Sequence, residues 1–372
     1  MKTIGLVVGH HCDTALEIKA AILAKDASVT VLLDEGDFVE PAADATDALK
    51  EATRKINNFN AVKRLQKAGA DVIGFACGCP HRFFAELQTE FTVRLVDPAC
   101  DSGERLSAAD YAQALLTADV TPLPKPFKVG MIGGLGPAAT VDLYDKIVKA
   151  TPAKVDQAHI KLVVEQNPQI PDRTAALLEG GEDPTLALYN CAERLERDGC
   201  DVIIVPCNTA HAFVPYLERY LKTPFVNMQQ TALDEIKAKL GDAARVGLLA
   251  TSGTIRTGIY GDKAKAMGLP IFVPDETHQA RVMAAIYGPQ GAKAGFTDGV
   301  CREDLLSAAE YLVKTYDCNC LILGCTELPL ILDESDAFDV AGKSVVVVDP
   351  TAALARRVVG LAEKATEERG VR

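Results

Sequence analysis

The chain has 372 residues, with 39 basic and 51 acidic side chains that give a formal net charge of −12. A chain of this length is expected to form two or three domains, and its apolar content of 48% is too high for a disordered protein. The acidic balance argues against a nucleic-acid partner, because binding a phosphate backbone requires clustered Lys and Arg.

The location of the chain is predicted from its apolar runs and its cysteines. No run of about 18 apolar residues is present, so no membrane span or membrane partner is expected. The N-terminus is typical of a β-strand leading into a loop and not of a signal peptide. The eleven Cys are scattered through apolar segments, which favours a reducing, cytoplasmic location over a disulfide framework.

The first segment, residues 1–122, is predicted to be an α/β lobe. Lys2–Gly9 is expected to form a strand and Ala15–Lys25 a helix. Gly69–Phe83 begins with a continuous apolar run, which is typical of a strand buried on both faces of a parallel sheet. The proline-rich stretch Thr121–Pro126 that follows is typical of a linker.

The second and third segments, residues 127–241 and 242–365, are predicted to repeat this order and to be separated by a turn at Gly241–Asp242. The predicted first strands and the helices after them are Phe127–Gly134 with Ala138–Lys149, and Ala244–Thr251 with Gly258–Met267. Helices are also predicted at Pro184–Asp198 and Glu303–Tyr316, each directly before an apolar strand. The βαβαβα order predicts right-handed crossovers and doubly wound sheets.

The three segments carry an internal repeat that ends in cysteine. GADVIGFACGCPHRF (Gly69–Phe83) aligns with GCDVIIVPCNTAHAF (Gly199–Phe213), so that Cys77 matches Cys207. A third copy, NCLILGCTELPL, places Cys325 on Cys207. The sequence therefore predicts three repeated, doubly wound α/β lobes with parallel sheets. The alternative, a single doubly wound sheet with chance likeness between its segments, does not explain three cysteines at matching strand ends.

Cys207 and Cys325 are predicted to lie at the carboxyl ends of strands, where open α/β sheets form their active sites. Each is followed by polar residues and a helix, whose dipole favours a thiolate. Two lobes facing each other would present one thiol each to a ligand between them. Most of the other cysteines are expected to pack in the core: Cys191, Cys200, Cys301, Cys318 and Cys320.

Five motifs occur in order along the second and third segments: GGLGPAAT (Gly133–Thr140), NPQIPDRT (Asn167–Thr174), PCNTAH (Pro206–His211), LLATSGT (Leu248–Thr254) and LGCTELPL (Leu323–Leu330). Together they resemble the aspartate/glutamate racemase family over residues 127 to about 363, and its aspartate racemase branch most closely. The resemblance implies a cofactor-independent amino-acid racemase built from two pseudo-symmetric lobes. It also implies that Cys207 and Cys325 are the catalytic residues and that aspartate is the substrate, with glutamate or another amino acid as the alternatives.

The substrate-binding residues are predicted within the same motifs. Asn208, Thr209 and Thr326 supply neutral donors suited to an α-carboxylate whose negative charge grows during the reaction. Arg173 and Lys293 match cationic positions of the aspartate racemases, which implies that they hold a side-chain carboxylate. Backbone N–H groups near Gly134 and Leu135 are expected to cradle the substrate. Glu327 is predicted to be a substrate-binding residue. Both Glu327 and His211 are expected either to tune the neighbouring thiols or to cap helices.

Several alternatives remain open at this point. Gly134-Leu-Gly136-Pro-Ala-Ala139 fits the G-x-G-x-x-A dinucleotide fingerprint, which would indicate a nicotinamide oxidoreductase, although Glu165 lies too far on for the usual ribose contact. A decarboxylase or isomerase of the same fold that works through Cys, or a silent amino-acid-binding protein, would also fit the thiols and the cleft.

The first lobe repeats the topology without the polar signature, and it is expected to be a degenerate copy. Such a copy would cover a surface of the other lobes, of the kind that two-lobed relatives use for dimerisation. A regulatory lobe that binds a ligand is the next alternative, and a homodimer of the whole chain also stays open. The His and Cys residues at its predicted strand ends are ligand types that zinc accepts. No metal is predicted, because the spacing of these residues fits no standard zinc motif: His10, His11, Cys12, Cys77, Cys79 and His81.

Overall fold

The computed structural model describes residues 1–9, 12–77, 79–99 and 103–371, without the side chain of Cys79. Residue contacts divide the chain into two compact units, 1–125 and 126–370. The division falls inside the proline-rich stretch that was predicted to be a linker.

The N-terminal unit is a parallel sheet with helices on both faces. Its strands lie in the order β2-β1-β3-β4. Ile18, Ile22 and Leu115 pack on one face, and Val62 and Leu65 pack in the cluster on the other. In chain order its elements are β1 (Thr3–Val7), α1 (Cys12–Lys25), β2 (Thr30–Asp34), α2 (Asp47–Lys67), β3 (Val72–Phe75), α3 (Phe84–Thr89), β4 (Arg94–Leu95) and α4 (Ala108–Thr117).

The second unit begins with a three-stranded parallel sheet in the order β6-β5-β7. Pro137 occupies the first turn of the helix after β5, where its missing N–H costs nothing. The elements of this part are β5 (Lys128–Gly133), α5 (Pro137–Ala150), β6 (Lys161–Gln166), α6 (Arg173–Leu178), α7 (Thr185–Arg197), β7 (Val202–Ile204), α8 (Val214–Leu217) and α9 (Met228–Leu240).

The remainder of the second unit contains a five-stranded sheet in the order β11-β12-β10-β8-β9. All of its pairings are parallel except that between β11 and β12. Its elements are β8 (Val246–Leu249), α10 (Ser252–Arg256), α11 (Gly261–Ala266), β9 (Ile271–Phe272), α12 (Glu276–Tyr287), α13 (Val300–Tyr316), β10 (Cys320–Leu323), β11 (Ser335–Val340), β12 (Lys343–Val348) and α14 (Pro350–Arg369).

Two features of this sheet differ from the prediction. The edge strand β11 is antiparallel, because Ala341 and Gly342 both have positive φ angles and form the two-residue turn that joins hairpin strands. The predicted helix Gly258–Met267 is shorter in the structure, where α11 covers only Gly261–Ala266 and a separate short helix, α10, precedes it. Gly258 lies between them with φ +67°, a left-handed conformation that ends a helix.

The two sheets of the second unit exchange their final helices. Leu233 and Ile236 of α9, which follows the three-stranded sheet in sequence, pack in the core of the five-stranded sheet. Leu354 and Val358 of α14 pack in turn against β5 and β7 of the three-stranded sheet. The boundary predicted at residues 241 and 242 therefore separates the strands in sequence, while each sheet is covered by a helix from the other half.

The repeat seen in the sequence recurs as one local hydrogen-bond pattern. Asp71 accepts the backbone N–H of Thr3, Asp201 accepts that of Lys128, and the Asn319 amide oxygen accepts that of Arg245. In each case the accepting residue lies just before or at the start of a buried strand and binds the start of the first strand of its sheet. The α/β fold with parallel sheets is confirmed.

Two further observations concern the cysteines and the hydropathy of the helices. All five cysteines assigned to packing are buried. Within the part of the chain that the structure describes, no helix is long and apolar enough to cross a membrane.

Candidate active site

The second unit contains a cavity lined from both of its sheets. Cys207 follows β7 and Cys325 follows β10, so each thiol lies just past the carboxyl end of a parallel strand. Every predicted site residue except Gly134 lines this cavity, which we call the cleft. The two thiol residues are equally buried, each with 7% of its surface exposed. The cleft is narrow, with a volume of about 10 Å³, which is room for one water molecule.

On one side of the cleft, Cys207 is accompanied by the guanidinium of Arg173. The Arg173 side chain is buried, and it donates hydrogen bonds to the carbonyls of Ile170, Pro171 and Leu135 at 3.0–3.3 Å. Burial alone would lower the pKa of Arg173, but its interactions with Cys207, Asp172 and Tyr287 together raise that pKa. The structure therefore places a fixed positive charge beside the Cys207 thiol.

On the other side, Cys325 is accompanied by a carboxylate. The Cys325 thiol donates a hydrogen bond to Oε2 of Glu327 across 3.0 Å, and the Lys293 ammonium donates to Oε1 across 2.7 Å. Burial and the negative charge of Glu327 raise the pKa of Cys325 well above its usual range. The two thiols thus lie in opposite electrostatic surroundings.

The threonines predicted to bind substrate make contacts across the cleft. The Thr209 hydroxyl lies 3.1 Å from that of Thr251 and 2.9 Å from that of Thr254. The Thr326 hydroxyl donates to the carbonyl of Pro206 at 3.2 Å. These bonds join the halves of the unit at both cysteine turns, and any substrate contact by Thr209 or Thr326 must share or replace them.

The Asn208 amide is held by two donors. Its Oδ1 accepts from the Tyr260 hydroxyl at 2.7 Å and from Nε2 of Gln229 at 3.3 Å. Its Nδ2 is buried and has no hydrogen-bond partner in the described residues. Nε of Arg173 is likewise buried, without an oxygen or nitrogen partner among the described residues. Such orphan donors are rare in proteins, and here they are available to an acidic ligand.

The glycine turn after β5 is explained by its own neighbours. The Gly134 N–H donates to the Thr140 hydroxyl at 2.9 Å, so this N–H is not free to cradle substrate as predicted. Gly134 has φ +96°, and a Cβ there would lie 2.6 Å from the backbone of Asn167. A Cβ on Gly136 would lie 2.6 Å from Oε1 of Glu327. Close packing against Asn167 and Glu327 accounts for the two glycines of the fingerprint.

His211 has a structural position beside Cys207. Its Nδ1 lies 2.9 Å from the Cys207 carbonyl, and its Nε2 accepts the Met228 N–H at 3.4 Å. Burial lowers its pKa to about 4, so the ring is neutral near pH 7. A neutral ring with Nε2 as acceptor carries its proton on Nδ1 and donates it to the carbonyl. His211 therefore ties the Cys207 turn to the start of α9.

Three residues that line the cleft were not among the predicted site residues. Thr174 and Thr251 belong to motifs used for the family resemblance, and that signal could have identified them. Tyr287 carries no signal in the sequence. Its hydroxyl lies 3.3 Å from Oδ2 of Asp172, and Lys293 lies 5.3 Å from its ring centre, so it closes the rim of the cleft.

The possible zinc ligands of the N-terminal unit are only partly described. His10, His11 and the side chain of Cys79 lie outside the described residues. Nδ1 of His81 lies 2.8 Å from Oδ2 of Asp97. In the described ranges no group of three or more His, Cys, Asp or Glu is placed to hold a metal ion.

Comparison with known proteins gives the family of the chain. A family model described as Asp/Glu/Hydantoin racemase matches residues 132–358, more than half of the chain. The chain belongs to this racemase family. Racemases are isomerases, and the match covers both cysteines and every residue that lines the cleft.

Curated racemases are similar to part of the chain. The broad specificity amino-acid racemase RacX of Bacillus subtilis is 24% identical over 62% of this chain and 96% of its own length. The glutamate racemase of Shewanella sp. (strain MR-4) is 30% identical, and the match spans 48% of this chain and 61% of that enzyme.

Solved structures of racemases show the same fold. The aspartate racemase of Picrophilus torridus is 31% identical and has a TM-score of 0.52, over 66% of this chain and 95% of that one. An aspartate racemase homologue from Pyrococcus horikoshii OT3 is 26% identical with a TM-score of 0.51, over 63% of this chain and 99% of that one.

Proposed function

We propose that this chain is a cofactor-independent amino-acid racemase that uses Cys207 and Cys325 as its two acid–base residues, with aspartate as substrate. The observation that carries the proposal is the pair of equally buried thiols at the ends of equivalent strands, facing one polar cleft. Racemisation needs two groups on opposite sides of one carbon, one to take a proton and one to return it.

In the proposed reaction, the Cys207 thiolate takes the α-proton from one face of the amino acid. The C–H bond breaks, an S–H bond forms, and the electron pair moves toward the α-carboxylate. The Cys325 thiol gives its proton to the opposite face, which restores the α-carbon with inverted configuration and leaves Cys325 as a thiolate. The opposite enantiomer follows the same path in reverse.

The negative charge that grows on the α-carboxylate needs donors that are already in place. Nδ2 of Asn208 is oriented by the bonds that Tyr260 and Gln229 make to the same amide. Together with Nε of Arg173 it offers buried N–H groups that lack a hydrogen-bonded oxygen or nitrogen. Preoriented donors of this kind stabilise a transition state more than the ground state.

The choice of aspartate rests on charge and likeness. Arg173 and Lys293 bring two cations to the cleft, and a side-chain carboxylate matches them. Lys293 also binds Glu327, so the substrate shares this cation with a protein carboxylate. The similarity to the Picrophilus torridus aspartate racemase supports the same choice, whereas the similarity to RacX would fit a wider range of amino acids.

The test is chiral chromatography of purified protein incubated with L-aspartate, L-glutamate or L-alanine, with no cofactor added. The proposal predicts D-aspartate, formed faster than D-glutamate or D-alanine. A protein that is thermally stabilised by aspartate but forms no D-isomer of any of the three is a binding protein, and that result would refute the proposal. Because the narrow cleft is too small for an amino acid, it must widen before substrate enters.

A further inference from the structure

Glu327 makes contacts that connect a thiol to a cation. Its carboxylate is buried, with only 3% of the residue exposed, and its two oxygens have different partners. Oε2 accepts a hydrogen bond from the Cys325 thiol, and Oε1 accepts one from the Lys293 ammonium. Gly136, from the turn after β5, leaves Oε1 the space it occupies. The Lys293 ammonium and the space left at Gly136 therefore keep the carboxylate beside the Cys325 thiol.

The other ionisable groups around Cys325 do not offset this carboxylate. Lys293 favours the Cys325 thiolate, but it is hydrogen-bonded to Glu327 and half of a neutral pair. Tyr260 and Tyr287 also face Cys325, and burial raises the pKa of both phenols, so both stay neutral. A thiolate at Cys325 would place a second negative charge about 3 Å from Glu327 with little compensation.

Cys207 lies in the reverse situation. The charged group beside it is the Arg173 guanidinium, held in place by three backbone carbonyls. The His211 ring that binds the Cys207 carbonyl is neutral. Since the two thiol residues are equally buried, the difference between them is one of neighbouring charge and not of access to solvent.

We propose that Glu327 is a positioning residue that holds Cys325 in its protonated form between turnovers, so that Cys325 starts as the proton donor and Cys207 as the proton acceptor. The inference rests on the proposed racemase function. After Cys325 has given its proton to the substrate, its thiolate faces Glu327, and this repulsion favours prompt return of a proton from solvent or from the opposite enantiomer. At the same time Cys207 returns the proton it received to solvent or to that enantiomer. The resting cleft is thereby restored.

The experiment is alkylation of the intact protein by iodoacetamide across pH 6–9, without substrate, with each cysteine followed by peptide mass spectrometry. In the wild-type protein we expect Cys207 to react at least about tenfold faster than Cys325 near pH 7.5, the ratio that one pKa unit produces. In Glu327→Gln the Cys325 profile should move to lower pH and its rate near pH 7.5 should rise about tenfold. Glu327→Asp, which keeps the charge, should retain the slow reaction.

The control variant is Glu363→Gln, which removes an exposed carboxylate of α14 outside the cleft and should leave both rates unchanged. Equal reactivity of the two thiols in the wild-type protein would overturn the inference, even if Glu327→Gln failed to fold. An unchanged Cys325 profile in a folded Glu327→Gln protein would overturn it as well. Because no substrate is present, these outcomes are separate from a failure to form D-amino acids, which would overturn the proposed function instead.

Discussion

The Lys293 ammonium lies 2.7 Å from Oε1 of Glu327, inside the cleft that contains both thiols. Lys293 is therefore already paired with a protein carboxylate, and a substrate carboxylate would share this cation with Glu327. Burial would lower its pKa, but its interactions with neighbouring acidic groups, Glu327 foremost, raise it. Removing either partner of such a pair leaves the other charge poorly solvated, which is costly, whereas removing both need not be.

The first prediction concerns this ion pair. Lys293→Met should lower the free energy of unfolding by about 3 kcal/mol, because it leaves the Glu327 carboxylate buried without a cation. The double variant Lys293→Met/Glu327→Gln should be more stable than Lys293→Met alone. Urea unfolding at pH 7.5 measures both. If the double variant lost as much stability as the sum of the two single variants, the side chains would not be energetically coupled.

The second prediction concerns substrate choice. Arg173→Ala and Lys293→Ala should each lower kcat/KM for aspartate about 30-fold or more, because a desolvated carboxylate loses a charged partner worth about 2–5 kcal/mol. The slow reaction of alanine should fall by a smaller factor, since alanine shares the α-carboxylate but has no side-chain carboxylate to lose a partner. Arg197→Ala, an exposed residue on α7, is the control. Equal losses on both amino acids would contradict a contact between these cations and a side-chain carboxylate.

The third prediction concerns the glycine beneath Glu327. Gly136→Ala should lower kcat about tenfold or more, because its Cβ would fall 2.6 Å from Oε1 and displace the carboxylate from Cys325. The control is Gly360→Ala in α14, where a Cβ meets open space and a helix gains stability. Steady-state rates measure the effect of each variant on turnover, and melting temperatures measure its effect on stability. A fully active Gly136→Ala protein would show that the position of Glu327 is unimportant for turnover.

The fourth prediction concerns pH and His211. Its pKa falls from 6.5 to about 4 on folding, so below pH 6.5 the unfolded chain binds a proton that the folded protein does not. Stability should therefore fall between pH 6.5 and 4, and His211 should account for about 2 kcal/mol of that loss by pH 5. His211→Asn should reduce this loss. Urea unfolding of both proteins at pH 7.5 and 5.0 measures this loss. If the loss of stability between the two pH values were the same in both proteins, His211 would not be buried as a neutral ring.

Much of the fold was predictable because it depends on local sequence. The continuous apolar runs identified β3, β7 and β10, since strands buried on both faces have no polar side. The exchange of α9 and α14 was not predictable, because both helices have ordinary apolar faces that would fit either sheet. The β11 hairpin depends on two positive φ angles at Ala341 and Gly342, and alanine gives no signal of that conformation.

The candidate site was predicted at the level of residues but not of their partners. Cys207, Cys325 and Arg173 could be identified because they lie in or beside motifs at strand ends. A chain of hydrogen bonds runs from Cys325 through Glu327 to Lys293, and the last two residues are 34 positions apart in the sequence. Spacing in sequence cannot show such pairing. Tyr260 and Gln229, which orient Asn208, are absent from the motifs for the same reason.

The most direct test of the two-thiol mechanism is NMR of L- and D-aspartate in D₂O with the wild-type protein, Cys207→Ser and Cys325→Ser, using Cys12→Ser, an exposed cysteine, as the control. The wild-type and control proteins should convert either enantiomer into both, with deuterium on the α-carbon. Each site variant should form no opposite enantiomer, because serine is not ionised near neutral pH. Each should exchange the α-proton of one enantiomer only, and the two variants should differ in which one. Racemisation by either variant at the wild-type rate would contradict the account.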